Sequence, residues 1–174
     1  MQDILLVIDM QNDFIDGALG SKAAQAIVPY VVERVKQFEG TVLFTRDTHR
    51  ANYLETQEGR NLPVEHCLRD TNGWQIHPEL EALRKTDPID KVTFGAASLP
   101  AVLSDLDDRD RISSITLLGL DTDICVISNA LLIKAFFPEI PIQVDAQGCA
   151  GVTPISHKTA LDAMKACQIT ILNA

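Results

Sequence analysis

Short unbroken apolar runs alternate along this chain with stretches of helical periodicity. The first run, Ile4-Leu5-Leu6-Val7-Ile8, stops at Asp9, and its lack of polar alternation predicts a strand buried on both faces. Residues 23–38 follow with Ile27, Val31, Val35 and Phe38 on one helical face and Gly40 as the stop signal. Further strands are predicted over residues 41–45, 91–94, 115–120, 138–144 and 169–172, and further helices over 99–106, 122–137 and 154–167. Between residues 48 and 88 lies a polar segment punctuated by Gly59, Pro63, Gly73 and Pro78. Connections of that length are uncommon and often functional.

Strand–helix alternation with Val/Ile/Leu-rich strands predicts an α/β architecture, a three-layer Rossmann-like fold with a parallel sheet between helices. The 174 residues suit a single domain, and no repeat, low-complexity stretch or linker interrupts them. In such sheets ligands sit beyond the carboxyl ends of the strands. The out-of-place polar residues fall there: Asp9 after the first strand, Asp47 and His49 after the second, Cys125 after the fourth. Lys91 stands at the start of the third strand on these boundaries. Four sequence-distant segments are therefore expected to converge on one rim.

Composition narrows the function classes. Apolar residues make up 46% and charged residues 22%, which excludes global disorder. No apolar run approaches the ~18–20 residues of a membrane span. Met1-Gln2-Asp3 lacks the basic start of a signal peptide and the apolar run after it is too short for one. Fifteen Lys+Arg against 24 Asp+Glu give a net charge of −9, making nucleic acid and anionic membranes poor partners. Cys67, Cys125, Cys149 and Cys167 are widely spaced with no CxxC, which fits a reduced, cytoplasmic protein with free thiols. No GxGxxG follows the first strand, and neither GxxxxGK[ST] nor GxSxG occurs.

Three groups of residues carry candidate chemistry. Cys125 lies where the fourth strand turns into a helix, and a thiol in a first helical turn meets N–H groups that favour the thiolate and can hold an oxyanion. Its bland alternative is a small buried hydrophobe. Lys91 and Asp9 are the natural supports: an ammonium stabilises a thiolate, and a carboxylate takes up the thiol proton. Singly, each is also explained as a strand-end charge or a turn cap. In Asp47-Thr48-His49 the carboxylate and imidazole project to the same side of an extended segment. With His66 as third ligand and Glu58 as candidate fourth, they would suit a divalent ion, zinc with manganese or iron as alternatives, leaving positions open for water or substrate. His77 and His157 read as surface residues.

Taken in order, these motifs resemble the isochorismatase-like cysteine hydrolases. The residues that carry the resemblance are Asp9-Met10-Gln11-Asn12-Asp13-Phe14, Thr45-Arg46-Asp47-Thr48-His49, Glu65-His66-Cys67, Asp123-Ile124-Cys125-Val126, and Asp145-Ala146 with Cys149-Ala150-Gly151-Val152-Thr153-Pro154. Within that superfamily the chain is most similar to nicotinamidase and pyrazinamidase-type amidases. The resemblance implies a catalytic triad of Asp9, Lys91 and Cys125, and metal ligands Asp47, His49 and His66, with Glu58 where some members place a fourth. It also implies six parallel strands, a cis Leu120–Asp121 peptide, an oxyanion hole from the Asp121 and Cys125 amides, and a homo-oligomer. Two positions depart from the family pattern: Asp121 stands where a small residue is common, and Ile124 where an aromatic is frequent.

The function expected is hydrolysis of a small-molecule amide, nicotinamide to nicotinate and ammonia, through a Cys125 thioester. Phe14 and Trp74 are candidate walls for a planar ring, although Trp74 could equally be core. An N-carbamoyl or ureido C–N hydrolase with the same triad is the enzymatic alternative. A binding module that kept the fold without catalysis is the non-enzymatic one.

Overall fold

The computed structural model describes residues 1–174. Six strands form one all-parallel sheet: β1 (Gln2–Ile8), β2 (Thr41–Asp47), β3 (Ile89–Lys91), β4 (Ile112–Leu120), β5 (Ile142–Ala150) and β6 (Thr170–Leu172). The principal helices are α2 (Lys22–Gln37), α5 (Leu99–Arg109), α6 (Ile127–Phe136) and α7 (Pro154–Ala166). Short α1 (Asn12–Ile15), α3 (Gln57–Asn61) and α4 (Pro78–Glu81) lie in connections, and a wide π turn, Thr122–Val126, precedes α6. No helix is long and apolar enough to cross a membrane.

The sheet order is β3-β2-β1-β4-β5-β6. From β1 the chain winds outward through β2 to β3, then crosses back to β4 and winds the other way. Right-handed crossovers therefore place α2 on one face and α5, α6 and α7 on the other. Ile4 to Ile8 of β1 are fully buried, as the central strand of a doubly covered sheet requires. The reversal between β1 and β4 opens a crevice at their carboxyl ends. Asp9 and Asp121 follow those two strands directly.

Three elements differ from the sequence expectation. β3 spans Ile89–Lys91 rather than 91–94, so Lys91 ends the strand instead of starting it and reaches the functional rim. β5 runs on to Ala150 rather than ending at residue 144. Asp145, the residue after the expected end, is fully buried, and its charge is met by Arg34 Nε at 3.0 Å, the Tyr30 hydroxyl and the Asn173 amide. A buried carboxylate compensated in this way does not terminate a strand. The predicted helix at 122–137 splits into the π turn and α6.

Gly119 holds β1 and β4 together at the reversal. Its φ is +122°, and a Cβ there would run into the Ile8 carbonyl. Gly119→Ala is therefore expected to lower stability by about 2 kcal/mol or more. Urea denaturation checks this, and an unchanged midpoint would contradict it.

Candidate active site

Asp9 leaves β1 with φ +45° and is fully buried. Its backbone N–H donates to the Thr45 hydroxyl at 3.2 Å, and that hydroxyl donates to Asp9 Oδ1 at 2.6 Å. Oδ2 lies 2.6 Å from Lys91 Nζ. The ammonium also reaches Asp47 Oδ1 at 3.2 Å, the Thr93 carbonyl at 3.1 Å and Cys125 Sγ at 3.5 Å. The ends of β1, β2 and β3 and the turn after β4 thus meet around one buried cation.

Cys125 sits in the π turn, which is bound to its start by N–H groups of Ile124 and Val126 donating to the Asp121 carbonyl. Asn129 Nδ2 donates to the Cys125 carbonyl at 2.8 Å and to that of Phe94, while its Oδ1 accepts the Ala96 N–H. One buried amide so fixes the turn against the segment after β3. The Leu120–Asp121 peptide is cis. The Asp121 N–H has no acceptor within the chain.

Opposing influences act on the sulfur. Burial and the Asp9 charge push the Cys125 thiol well up, and Lys91 lowers it only in part. Burial also raises Asp9 against the opposing pull of Lys91, which makes its carboxylate more basic. Lys91 is itself raised: burial opposes its charge, but Asp9, Cys125 and Asp47 outweigh it. A buried thiol beside a basic carboxylate and a fixed cation is arranged for proton transfer at the moment of attack.

A second cluster adjoins the first through Asp47. His49 Nε2 lies 2.9 Å from Asp47 Oδ2 and 3.6 Å from Glu58 Oε1, and His66 Nε2 lies 3.7 and 3.8 Å from the same two oxygens. All four donor atoms fall within 4.8 Å of one another. Ligands about 2.0–2.2 Å from a tetrahedral zinc stand about 3.3–3.6 Å apart, so the donor set fits a divalent ion. His66 Nδ1 donates to the Val64 carbonyl at 2.8 Å, which aims the other nitrogen into the cluster. Burial works against the His66 charge, yet Asp47 and the Val64 carbonyl still raise its pKa. Two facing carboxylates demand positive charge, from protons or from an ion. Burial raises Asp47, but the imidazoles and Lys91 outweigh it and hold the carboxyl well below the ordinary range.

The long middle segment builds this cluster. His49 and Cys67 pair through their backbones, and Asp13 Oδ2 accepts the Cys67 N–H at 2.7 Å, pinning the His66 loop. Thr56 caps α3 by accepting the Gly59 N–H, which fixes Glu58 in the first turn. Tyr53 packs its ring against both imidazoles. Gln11 ties β2 to this segment, accepting the Asp47 N–H and donating to the carbonyls of Asp47 and Trp74. Thr45, Gln11, Asp13, Tyr53 and Asn129 all support the site, and sequence reasoning assigned none of them a role. Gln11 and Asp13, inside the first motif, and Thr45, inside the second, carried a signal; Tyr53 and Asn129 carried none.

A cavity of about 480 Å³ opens over Cys125, with Phe14, Phe94, Ile124 and Asp121 in its walls and Asp47, Glu58 and His66 on one side. Phe14 lines it as anticipated. Trp74 does not: it is buried, donates from Nε1 to Thr48 Oγ1 at 2.8 Å, and carries the Arg46 guanidinium 3.5 Å above its ring. Its place is in the core under the second strand. His77 and His157 are half-buried rather than surface residues; His157 Nδ1 meets the Thr122 hydroxyl at 2.7 Å, and His77 Nδ1 is enclosed without a partner.

Comparison with known proteins bears on this geometry. The structure is similar to the pyrazinamidase of Pyrococcus horikoshii in complex with zinc (TM-score 0.83, 23% identity, 100% of both chains). It is also similar to the pyrazinamidase/nicotinamidase of Streptococcus mutans (0.81, 27%, covering 98% of this chain and 99% of that one). A third likeness is to the N-carbamoylsarcosine amidase of Thermoplasma acidophilum (0.77, 22%, covering 99% and 96%). A search of curated protein sequences finds no match. A family model described as the isochorismatase domain matches residues 3–174, and the chain belongs to that family.

Proposed function

We propose that this protein is a cysteine amidohydrolase that cleaves a small planar amide, with nicotinamide as the representative substrate. The observation that carries this reading is the meeting of buried Asp9 and Lys91 with Cys125, which lines the cavity beside the four-donor cluster. Asp9 takes the thiol proton as sulfur attacks the amide carbon. The N–H groups of Asp121 and Cys125 receive the developing oxyanion. Asp9 then returns the proton to the leaving nitrogen, and ammonia departs from a thioester. Water attacks the thioester with Asp9 taking its proton, and the acid leaves as the thiol is restored.

Lys91 holds Asp9 and the sulfur in register and offsets the negative charge that passes between them. Phe14 and Phe94 offer faces to a planar ring. Asp47, His49, His66 and Glu58 would hold the divalent ion, zinc being the first choice for this donor set. Such an ion supplies a Lewis-acidic anchor for a nitrogen or oxygen of the substrate, or for water. The cavity lining contains no Arg or Lys. A substrate with a free carboxylate, such as an N-carbamoyl amino acid, would have only the bound ion to meet its charge, whereas a primary amide needs no such partner.

Cys125→Ala is expected to reduce ammonia release from nicotinamide by at least about a thousandfold. Activity retained in that variant would overturn the mechanism. A panel of nicotinamide, pyrazinamide and N-carbamoyl amino acids, assayed for ammonia, should favour the first two. Lys91→Met leaves two buried carboxylates facing each other without their cation, and is expected to lose activity and about 3–5 kcal/mol of stability. Thermal and urea unfolding check the second effect. Metal analysis after dialysis should find one divalent ion per chain, absent from His66→Ala. An ion content that His66→Ala leaves unchanged would contradict the ligand set.

A further inference from the structure

Asp121 is the one acid in the cavity wall whose charge nothing in the chain answers. The other two carboxylates there, Asp47 and Glu58, face His49 and His66. Asp123, two residues on, is engaged by the Val152 N–H at 3.0 Å. Asp121 lines the same cavity as Cys125, yet its surroundings are burial and two other negative charges, Asp123 and Asp9, with no hydrogen bond or ion pair to its carboxyl. The ammonium of the catalytic cluster, Lys91, is already held by Asp9 and Asp47.

An unpaired carboxylate in a half-closed pocket is costly. Here it also belongs to the residue whose backbone N–H is free to meet an oxyanion, where negative charge opposes catalysis. A ligand that brings a cationic nitrogen removes both penalties at once. Resting on the amidohydrolase reading above, we propose that Asp121 is a specificity-determining residue that selects amides carrying an amine beside the scissile carbonyl. Burial, reinforced by Asp123 and Asp9, pushes Asp121 up to about 7. The empty pocket therefore holds this charge weakly, and a substrate ammonium would hold it firmly. Within the primary amides, those that carry such a donor are then bound more tightly than nicotinamide, which shares the planar amide but not the amine.

A matched pair of amides tests this: phenylglycinamide, and 2-phenylpropanamide, in which a methyl replaces the amine. Binding to the Cys125→Ala protein is measured by calorimetry, which does not depend on turnover. Phenylglycinamide is expected to bind about tenfold or more tightly, and Asp121→Ala in the same background should bring the ratio to within about twofold. Asp121→Asn, nearly isosteric, should also lose most of the preference, and guards against a folding defect in the alanine variant. Equal binding of the pair, or a preference that survives both substitutions, would overturn the proposal. A preference that disappears with Asp121, in a protein whose Cys125 form hydrolyses neither amide of the pair nor nicotinamide nor pyrazinamide, would uphold this role and refute the amidohydrolase reading instead.

Discussion

The site depends on one buried ammonium. Lys91 is 4% exposed and has Asp9, Asp47, the Thr93 carbonyl and the Cys125 sulfur around it. Removing such an ion from water costs several kcal/mol, and only close, well-placed negative partners offset that cost. Asp9 and Asp47 do so, and each gains its own compensation in return. The same cation thus joins the thiol side of the site to the histidine cluster, with Asp47 shared between them. It also joins four chain segments, so the order of the strand ends and the arrangement of the reacting groups are a single constraint.

The sheet topology makes that meeting possible. With β1 central and the winding reversed between β1 and β4, the residues after these strands border the crevice. β2 and β3 bring Asp47 and Lys91 to the same rim from one side. Gly119 lets β4 approach the Ile8 carbonyl, which sets how closely the two halves lie. The long segment after β2 then folds back, held by Asp13, Gln11 and the His49–Cys67 pairing, and carries His66 and Glu58 to the cluster.

Much of this was legible in the chain because the decisive residues interrupt apolar runs. Asp9, Asp47 and Cys125 each follow a strand whose hydrophobic pattern is unmistakable, and Asp47-Thr48-His49 has same-side spacing. Lys91 was misplaced by a strand length because Ile89-Asp90-Lys91 is a short, partly polar edge strand with little pattern to read. The extension of β5 through Asp145 was not legible because the partners that meet its charge, Tyr30, Arg34 and Asn173, are distant in sequence. Trp74 looked like a pocket wall because an aromatic in a polar segment gives no hint of Arg46 stacking on it. The supporting side chains, Thr45, Tyr53 and Asn129, act through contacts that exist only once the chain is folded. The charge of −9 argues against nucleic acid and leaves the substrate open. The unpaired Asp121 in the cavity wall is the feature on which the proposed substrate preference rests.

The central claim is that Cys125 becomes acylated during amide hydrolysis. Rapid acid quenching of the protein while it turns over a primary amide, followed by intact-mass measurement and peptide mapping, tests this directly. The acyl group of the substrate should appear on the peptide that carries Cys125, on no other cysteine peptide, and not at all in Cys125→Ala. Full hydrolysis with no adduct accumulating at Cys125 at any quench time, and undiminished activity in the alanine variant, would contradict it.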